Sequence, residues 1–217
     1  TGAVTSKHVV STDTKGNYTG SSINYSNGKA SSATVFSGDK KGNSLVASMD
    51  IGSQGSISKI STLESSVSDS GEVSNVTDGG PVMMLGYTEA SGHALHGKYH
   101  AFALALDPVS DQAHIVRGGP AMNALSLNSA KAGADAEYKL SGNGFGAIRA
   151  SHGKFSNLTP FDQPHKTVGY QMLGRTNMSF AEIQKRMRYF AKGVNYKSIP
   201  YWPLGPNSNT TAFTFIE

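Results

Sequence analysis

The chain has 217 residues, a formal net charge of +4, 16% charged residues, 25 glycines and no cysteine. The lack of cysteine excludes disulfides, zinc–cysteine sites and a thiolate nucleophile, and low charge with abundant Gly and Ser suits a β-rich, loop-rich protein better than a helical bundle. No run approaches the length of a bilayer span and no signal-peptide pattern opens at Thr1, so the sequence reads as soluble, with no transmembrane segment and room for one large domain or two small ones.

From Thr1 to about Gly80 the chain reads as short strands: Lys7 to Ser11, Tyr18 to Tyr25, Ala33 to Phe36, Leu45 to Ile51 and Ile57 to Thr62. Lys-Gly-Asn, Asn-Gly, Ser-Gly-Asp and Ser-Gln-Gly turns separate them. Asp13-Thr-Lys-Gly-Asn17 echoes Asp39-Lys-Lys-Gly-Asn43, which is read as two hairpins with the same turn chemistry rather than a solenoid repeat. No titratable cluster in this half suggests chemistry, so residues 1–80 are assigned to a delivery, docking or scaffold region.

Gly79-Gly80-Pro81 marks the expected boundary with a second region, 81–217. Val82 to Thr88, Tyr99 to Leu106 and His114 to Arg117 are dense apolar strands, the last leaving through Gly118-Gly119-Pro120. His100 opens a strand otherwise made of core residues, where an imidazole needs a partner. His93 and His96 carry less signal. Tyr138 to Leu140 and Gly146 to Ala150 are further strands with a turn at Asn143-Gly144, while His152 and His165 are read as surface loop residues.

The clearest helix follows. Ser179-Phe-Ala-Glu182 is a capping box, Phe180, Ile183, Met187 and Phe190 make an apolar stripe, and Gly193 is a ready stop. Its basic run, Lys185 to Arg188 with Lys192, is a solvated face, and no nucleic acid is expected. The seven histidines lack helical metal-binding spacings, so neither metal nor cofactor is expected.

Pro200, Pro203 and Pro206 force an extended approach to a last, short helix. Asn207, Ser208 and Asn209 are all good N-caps for the segment from Thr210 to Ile216, and Ser208 falls where backbone N–H groups and the helix dipole stabilise an anion. An ordinary cap and a nucleophile both account for that serine.

The strand opened by His100, the Arg117-Gly118-Gly119-Pro120 run, and Tyr201-x-x-Leu-Gly-Pro-Asn-Ser-Asn-Thr210 before a helix together resemble the circularly permuted papain-like hydrolases. That group includes lecithin:retinol acyltransferase-like enzymes, deSUMOylating isopeptidases and bacterial toxin domains. The resemblance covers roughly Pro81 to Glu217. For that stretch it implies an antiparallel sheet packed against helices, which with the β-rich N-terminal region makes the expected fold α+β. It also implies a catalytic set of His100 as base and residue 208 as nucleophile, with His114 the only candidate for orienting the base. Ser208 stands where the family has cysteine, so it is a native nucleophile, an engineered replacement of cysteine, or the mark of a relative that only binds. The implied function is a secreted or target-cell-delivered bacterial effector that hydrolyses or transfers an amide or ester acyl group of peptide, peptidoglycan or lipid. An immunity protein or a secretion-system component would be its partner. The rival reading is a non-catalytic secreted binding or adhesion protein.

Overall fold

The computed structural model describes residues 5–53, 55–89, 99–120, 148–154, 167–197, 199 and 208–216. It is an α+β fold with two antiparallel sheets. The first is a six-stranded meander in sequence order: β1 (Ser6–Thr12), β2 (Tyr18–Ser26), β3 (Lys29–Gly38), β4 (Ser44–Ile51), β5 (Ile57–Val67) and β6 (Val73–Thr77). The second runs β10-β9-β8-β7-β11, from β7 (Val82–Glu89), β8 (Tyr99–Asp107), β9 (Gln112–Pro120), β10 (Ile148–Gly153) and β11 (Thr167–Arg175). Two helices follow, α1 (Phe180–Lys197) and α2 (Ser208–Ile216).

The turns explain the sequence echo. Asp13 Oδ1 accepts from the N–H groups of Lys15 and Asn17, and Asp39 Oδ1 does the same for Lys41 and Asn43. In both loops the glycine takes positive φ, +85° at Gly16 and +96° at Gly42, which a side chain would resist. The loop from Ser68 to Glu72 repeats this backbone pattern with a serine oxygen in place of the aspartate. The echo is therefore turn chemistry.

Period-two alternation decides what each sheet buries. In β4, Leu45, Ala47, Met49 and Ile51 point inward and the residues between them outward. With Ile23, Ala33, Val35 and Ile60 they form one core with Val82, Met84, Phe102, Leu104, Leu106, Ile115, Tyr170 and Met172 of the second sheet. The change of sheet falls at Asp78–Pro81, yet the first sheet buries its apolar face against the second, so strands β1 to β6 are one layer of a shared core. The other face of the second sheet, with Leu85, Ala101, Ala103, Ala105 and Val116, receives Ile183, Met187 and Ala191 of α1 and Ala212 of α2. The order of layers is sheet, sheet, helices.

Both edges of the second sheet are closed by side chains, which blunts edge-to-edge pairing. On β11, Tyr170 N–H donates to Ser21 Oγ (3.0 Å) and Met172 N–H to Thr19 Oγ1 (3.2 Å). On β10, the Asn195 amide exchanges two hydrogen bonds with the Ala150 backbone, at 2.7 and 2.9 Å.

Several sequence expectations are corrected. Strands β6 and β11 appear where none was expected, and β9 runs on through Gly118, Gly119 and Pro120 instead of ending at Arg117. Helix α1 begins as its cap predicts, with Glu182 N–H on Ser179 Oγ. It passes through Gly193 to Lys197, because Asn195 is anchored to β10 and holds another turn on the sheet. His152 is a β10 residue and not a surface loop residue. His93, His96, His165, the strand at Tyr138 to Leu140, the turn at Asn143-Gly144 and the proline-rich approach through Asn207 lie outside the described residues.

Candidate functional site

In β8, Phe102, Leu104 and Leu106 face the first sheet while Ala101, Ala103 and Ala105 face the helices. His100 continues the first series and leaves the strand on the inter-sheet side. In β9, Ala113 and Ile115 occupy that same side, so Arg117 shares it with His100. His100 is half-buried, and burial first, then the Arg117 guanidinium, lowers its pKa below the ordinary 6.5. The imidazole is thus neutral at pH 7, the form a general base needs.

Helix α2 meets this region at a seam. The β8–β9 register runs from Asp107↔Gln112 to Ala103↔Val116. Beyond Ala103, β8 offers its backbone to the side chain of Asn209. Asn209 Oδ1 accepts from Ala101 N–H at 2.7 Å and Asn209 Nδ2 donates to Tyr99 C=O at 3.1 Å. The amide so imitates a neighbouring strand at the two residues flanking His100. Ser208 opens α2 one residue earlier, which puts its Cα within about 10 Å of the His100 backbone. Its side chain lies outside the described positions.

On the other side of the seam, Gly118 lets the helix sit down. It belongs to the helix-facing series of β9, and a Cβ there would run into the Thr211 hydroxyl well inside van der Waals contact. Thr211 and Ala212 are buried against the sheet. Gly118 is accordingly the landing point of α2 on β9. Sequence reasoning missed Asn209 as anything beyond a cap; the only signal was a third capping-type residue where one suffices.

His114 does not join His100. It pairs across from Ala105, five residues along β8 from His100, a separation of about 17 Å, and it projects to the helix side. There its Nε2 lies 3.3 Å from His152 Nδ1, while its own Nδ1 is buried with no hydrogen-bond partner among the described residues. Among the described residues no group of three or more His, Cys, Asp or Glu stands ready to hold a metal.

Burial first, then His152, lowers the His114 pKa to about 4. Between the unfolded value of 6.5 and about 4, the unfolded chain binds a proton at this position that the folded chain refuses. Stability therefore falls as pH drops through that window, by up to about 3 kcal/mol from His114, and gains no pH dependence from it above 6.5. Urea midpoints from pH 7 to pH 4 should show this slope, flattened in His114→Leu; identical slopes in the two proteins would contradict it.

Comparison of the chain with protein-family models, curated proteins and solved structures found no match. No described helix is long and apolar enough to cross a membrane.

Proposed function

We propose that the chain is a hydrolase or acyl-transferring enzyme of the permuted papain-like kind, with residue 208 as nucleophile and His100 as base. The observation that carries this is the Asn209 amide in the β8–β9 seam, which joins the start of α2 to the residues on either side of His100 across a sequence separation of 108 residues. An ordinary cap has no reason to make that connection. In the reaction, Ser208 Oγ attacks an amide or ester carbonyl as His100 takes its proton. N–H groups at the start of α2 receive the oxyanion, and the imidazolium returns the proton to the leaving group. Water then releases the acyl group by the same steps. A serine hydroxyl depends on its base more than a thiol does, and the neutral state of His100 meets that need. One geometric condition attaches: the ring must turn around the end of β8 toward the seam, because the pleat alone aims it at the first sheet.

The setting proposed for this chemistry is a secreted or delivered toxin-like effector, acting on peptide, peptidoglycan or lipid, with the first sheet as its docking layer. One observation favours the rival, a non-catalytic binding protein. A groove of about 640 Å³, lined by Asn17, Ser37, Asn43 and Ser65 at the turn end of the first sheet and by Gln171 of β11, is open to the ligand of such a protein.

Covalent labelling separates the two. A fluorophosphonate probe should add once to the protein, at Ser208. His100→Ala and Ser208→Ala should both lose the adduct while staying folded, since groups that act as one unit fail together. If the native residue is cysteine, Ser208→Cys gains ester hydrolysis and the serine protein labels poorly. No adduct on the serine protein together with no hydrolysis by Ser208→Cys would remove the enzyme reading in favour of the binder.

A further inference from the structure

The outer side of α1 concentrates the charge of the molecule. This helix carries five of the 19 Lys and Arg residues and one of the 15 Asp and Glu residues, leaving 14 of each sign elsewhere, so the formal net charge of +4 sits on α1. Ile183, Met187 and Ala191 are buried against the second sheet. The opposite stripe is Lys185, Arg188, Tyr189, Lys192 and Tyr196, at i, i+3, i+4, i+7 and i+11. All five are exposed, Tyr189 at 58% and Tyr196 at 91%. Lys185 Nζ and Arg188 Cζ stand 6.0 and 5.9 Å from the centre of the Tyr189 ring, close enough for ring and cations to attract one another. Glu182, the one acid of the helix, pairs with Arg186 at 3.0 Å beside the stripe.

A basic run on a helix is ordinarily a solvated face. Two features set this one apart: the rest of the chain is balanced in charge, and two tyrosine rings stand in solvent among the cations. An anionic lipid surface uses both features at once. Its headgroups attract the cations, by about a factor of five for each Lys or Arg near the surface, and phenol rings settle at the level of the headgroups. Duplex nucleic acid fits less well, because the stripe has no Asn, Gln, Ser or Thr to add hydrogen bonds to bases or phosphates.

We propose that the Lys185–Tyr196 stripe of α1 docks the protein on an anionic lipid membrane. The helix lies along the surface with its stripe, about 16 Å long, against the headgroups. It does not insert, because its apolar side is committed to the second sheet. Attachment is therefore electrostatic, reversible and weakened by salt. The helix layer faces the lipid and the first sheet, two layers away, faces the solvent. The proposal rests on nothing that residue 208 does, so it stands or falls separately from the hydrolase reading.

Co-sedimentation with vesicles tests it on the whole chain. Phosphatidylcholine vesicles containing about 30 mol% phosphatidylglycerol should bind the protein, pure phosphatidylcholine should not, and about 0.5 M salt should release it. Lys185→Gln, Arg188→Gln and Lys192→Gln together should weaken binding about a hundredfold; glutamine is a good helix former, so α1 should persist. The matched control is Lys15→Gln, Lys40→Gln and Lys41→Gln, which removes as much charge from exposed turns of the first sheet and should leave binding nearly unchanged. Tyr196→Ser, a single exposed change, should weaken binding less while keeping its salt dependence. No binding to the phosphatidylglycerol vesicles, or equal losses in the two triple variants, would overturn the proposal. Binding to duplex DNA or polyglutamate as tight as to vesicles, with the same loss in the α1 variant, would make the stripe a general polyanion contact and overturn it too.

Discussion

Gly118→Val is expected to unseat α2 while leaving both sheets folded. The helix packs with Thr211 directly over Gly118, and any Cβ there collides with the Thr211 side chain. Neither side can yield easily. Gly118 is fixed in register between its neighbours and opposite Ala150 on β10, and Thr211 is 4% exposed with fully buried Ala212 beside it. Overpacking costs about 1–3 kcal/mol where it can relax; here the helix must lift, so a loss at the upper end, about 3 kcal/mol, is expected. Lifting α2 would withdraw Asn209 from the seam and separate residue 208 from His100, abolishing labelling. Gly118→Ala should do less, and Thr211→Ala in that background should recover part of the loss, because two residues in contact couple non-additively. Chemical denaturation with intact β-sheet circular dichroism, run beside the labelling assay, measures both effects. Wild-type stability and labelling in a folded Gly118→Val protein would show that α2 does not rest on this glycine.

Much of the fold was legible because most strands carry their own signal. β4 alternates buried and accessible residues without a break, and β8 is a near-continuous apolar run because helices cover one face and the first sheet the other. The elements that escaped lack such a signal. All five residues of β6 are exposed, so no apolar rhythm marks it. In β11, glycines at 169 and 174 coincide with register shifts that break the alternation. The end of α1 was misplaced for another reason: a glycine stops a helix only when nothing beyond it is held, and Asn195 is held.

The site was legible in its parts and not in its assembly. His100 at a strand start and Ser208 at a helix start are local facts, readable from neighbouring residues. Choosing His114 as the third group relied on adjacent strands being close, which antiparallel register does not grant along their length. Asn209 could not be identified, because the backbone groups it bonds belong to Tyr99 and Ala101 and a cap reading looks only at its own turn. Likewise Thr167 comes to lie beside Thr88 only once β11 is laid against β7, and β11 was the strand the sequence hid.

The two bonds of Asn209 are unequal, and that inequality predicts how substitutions will rank. Ala101 is 2% exposed, so its N–H has no other partner if the amide is lost; Tyr99 is 46% exposed, and its carbonyl can turn to solvent. Asn209→Leu keeps the size and removes both bonds, stranding the Ala101 N–H at a cost of about 1–3 kcal/mol. Asn209→Asp retains the acceptor. Its carboxylate still takes the Ala101 N–H, and in the first turn of α2 the helix dipole adds about 0.3–1 kcal/mol, so at pH 7 it should lie within about 1 kcal/mol of wild type. Both contacts favour the anion and lower the folded-state pKa of that carboxyl. Its stabilisation is then present above the unfolded value of about 3.9 and is lost as pH falls through the lower folded value. Labelling should follow the acceptor: absent in Asn209→Leu, present in Asn209→Asp, with a pH profile displaced upward because an added negative charge near His100 favours the imidazolium. Equal loss in the two variants would mean that the Tyr99 bond matters as much as the Ala101 bond. Full labelling in Asn209→Leu would show that the amide in the seam does not place residue 208.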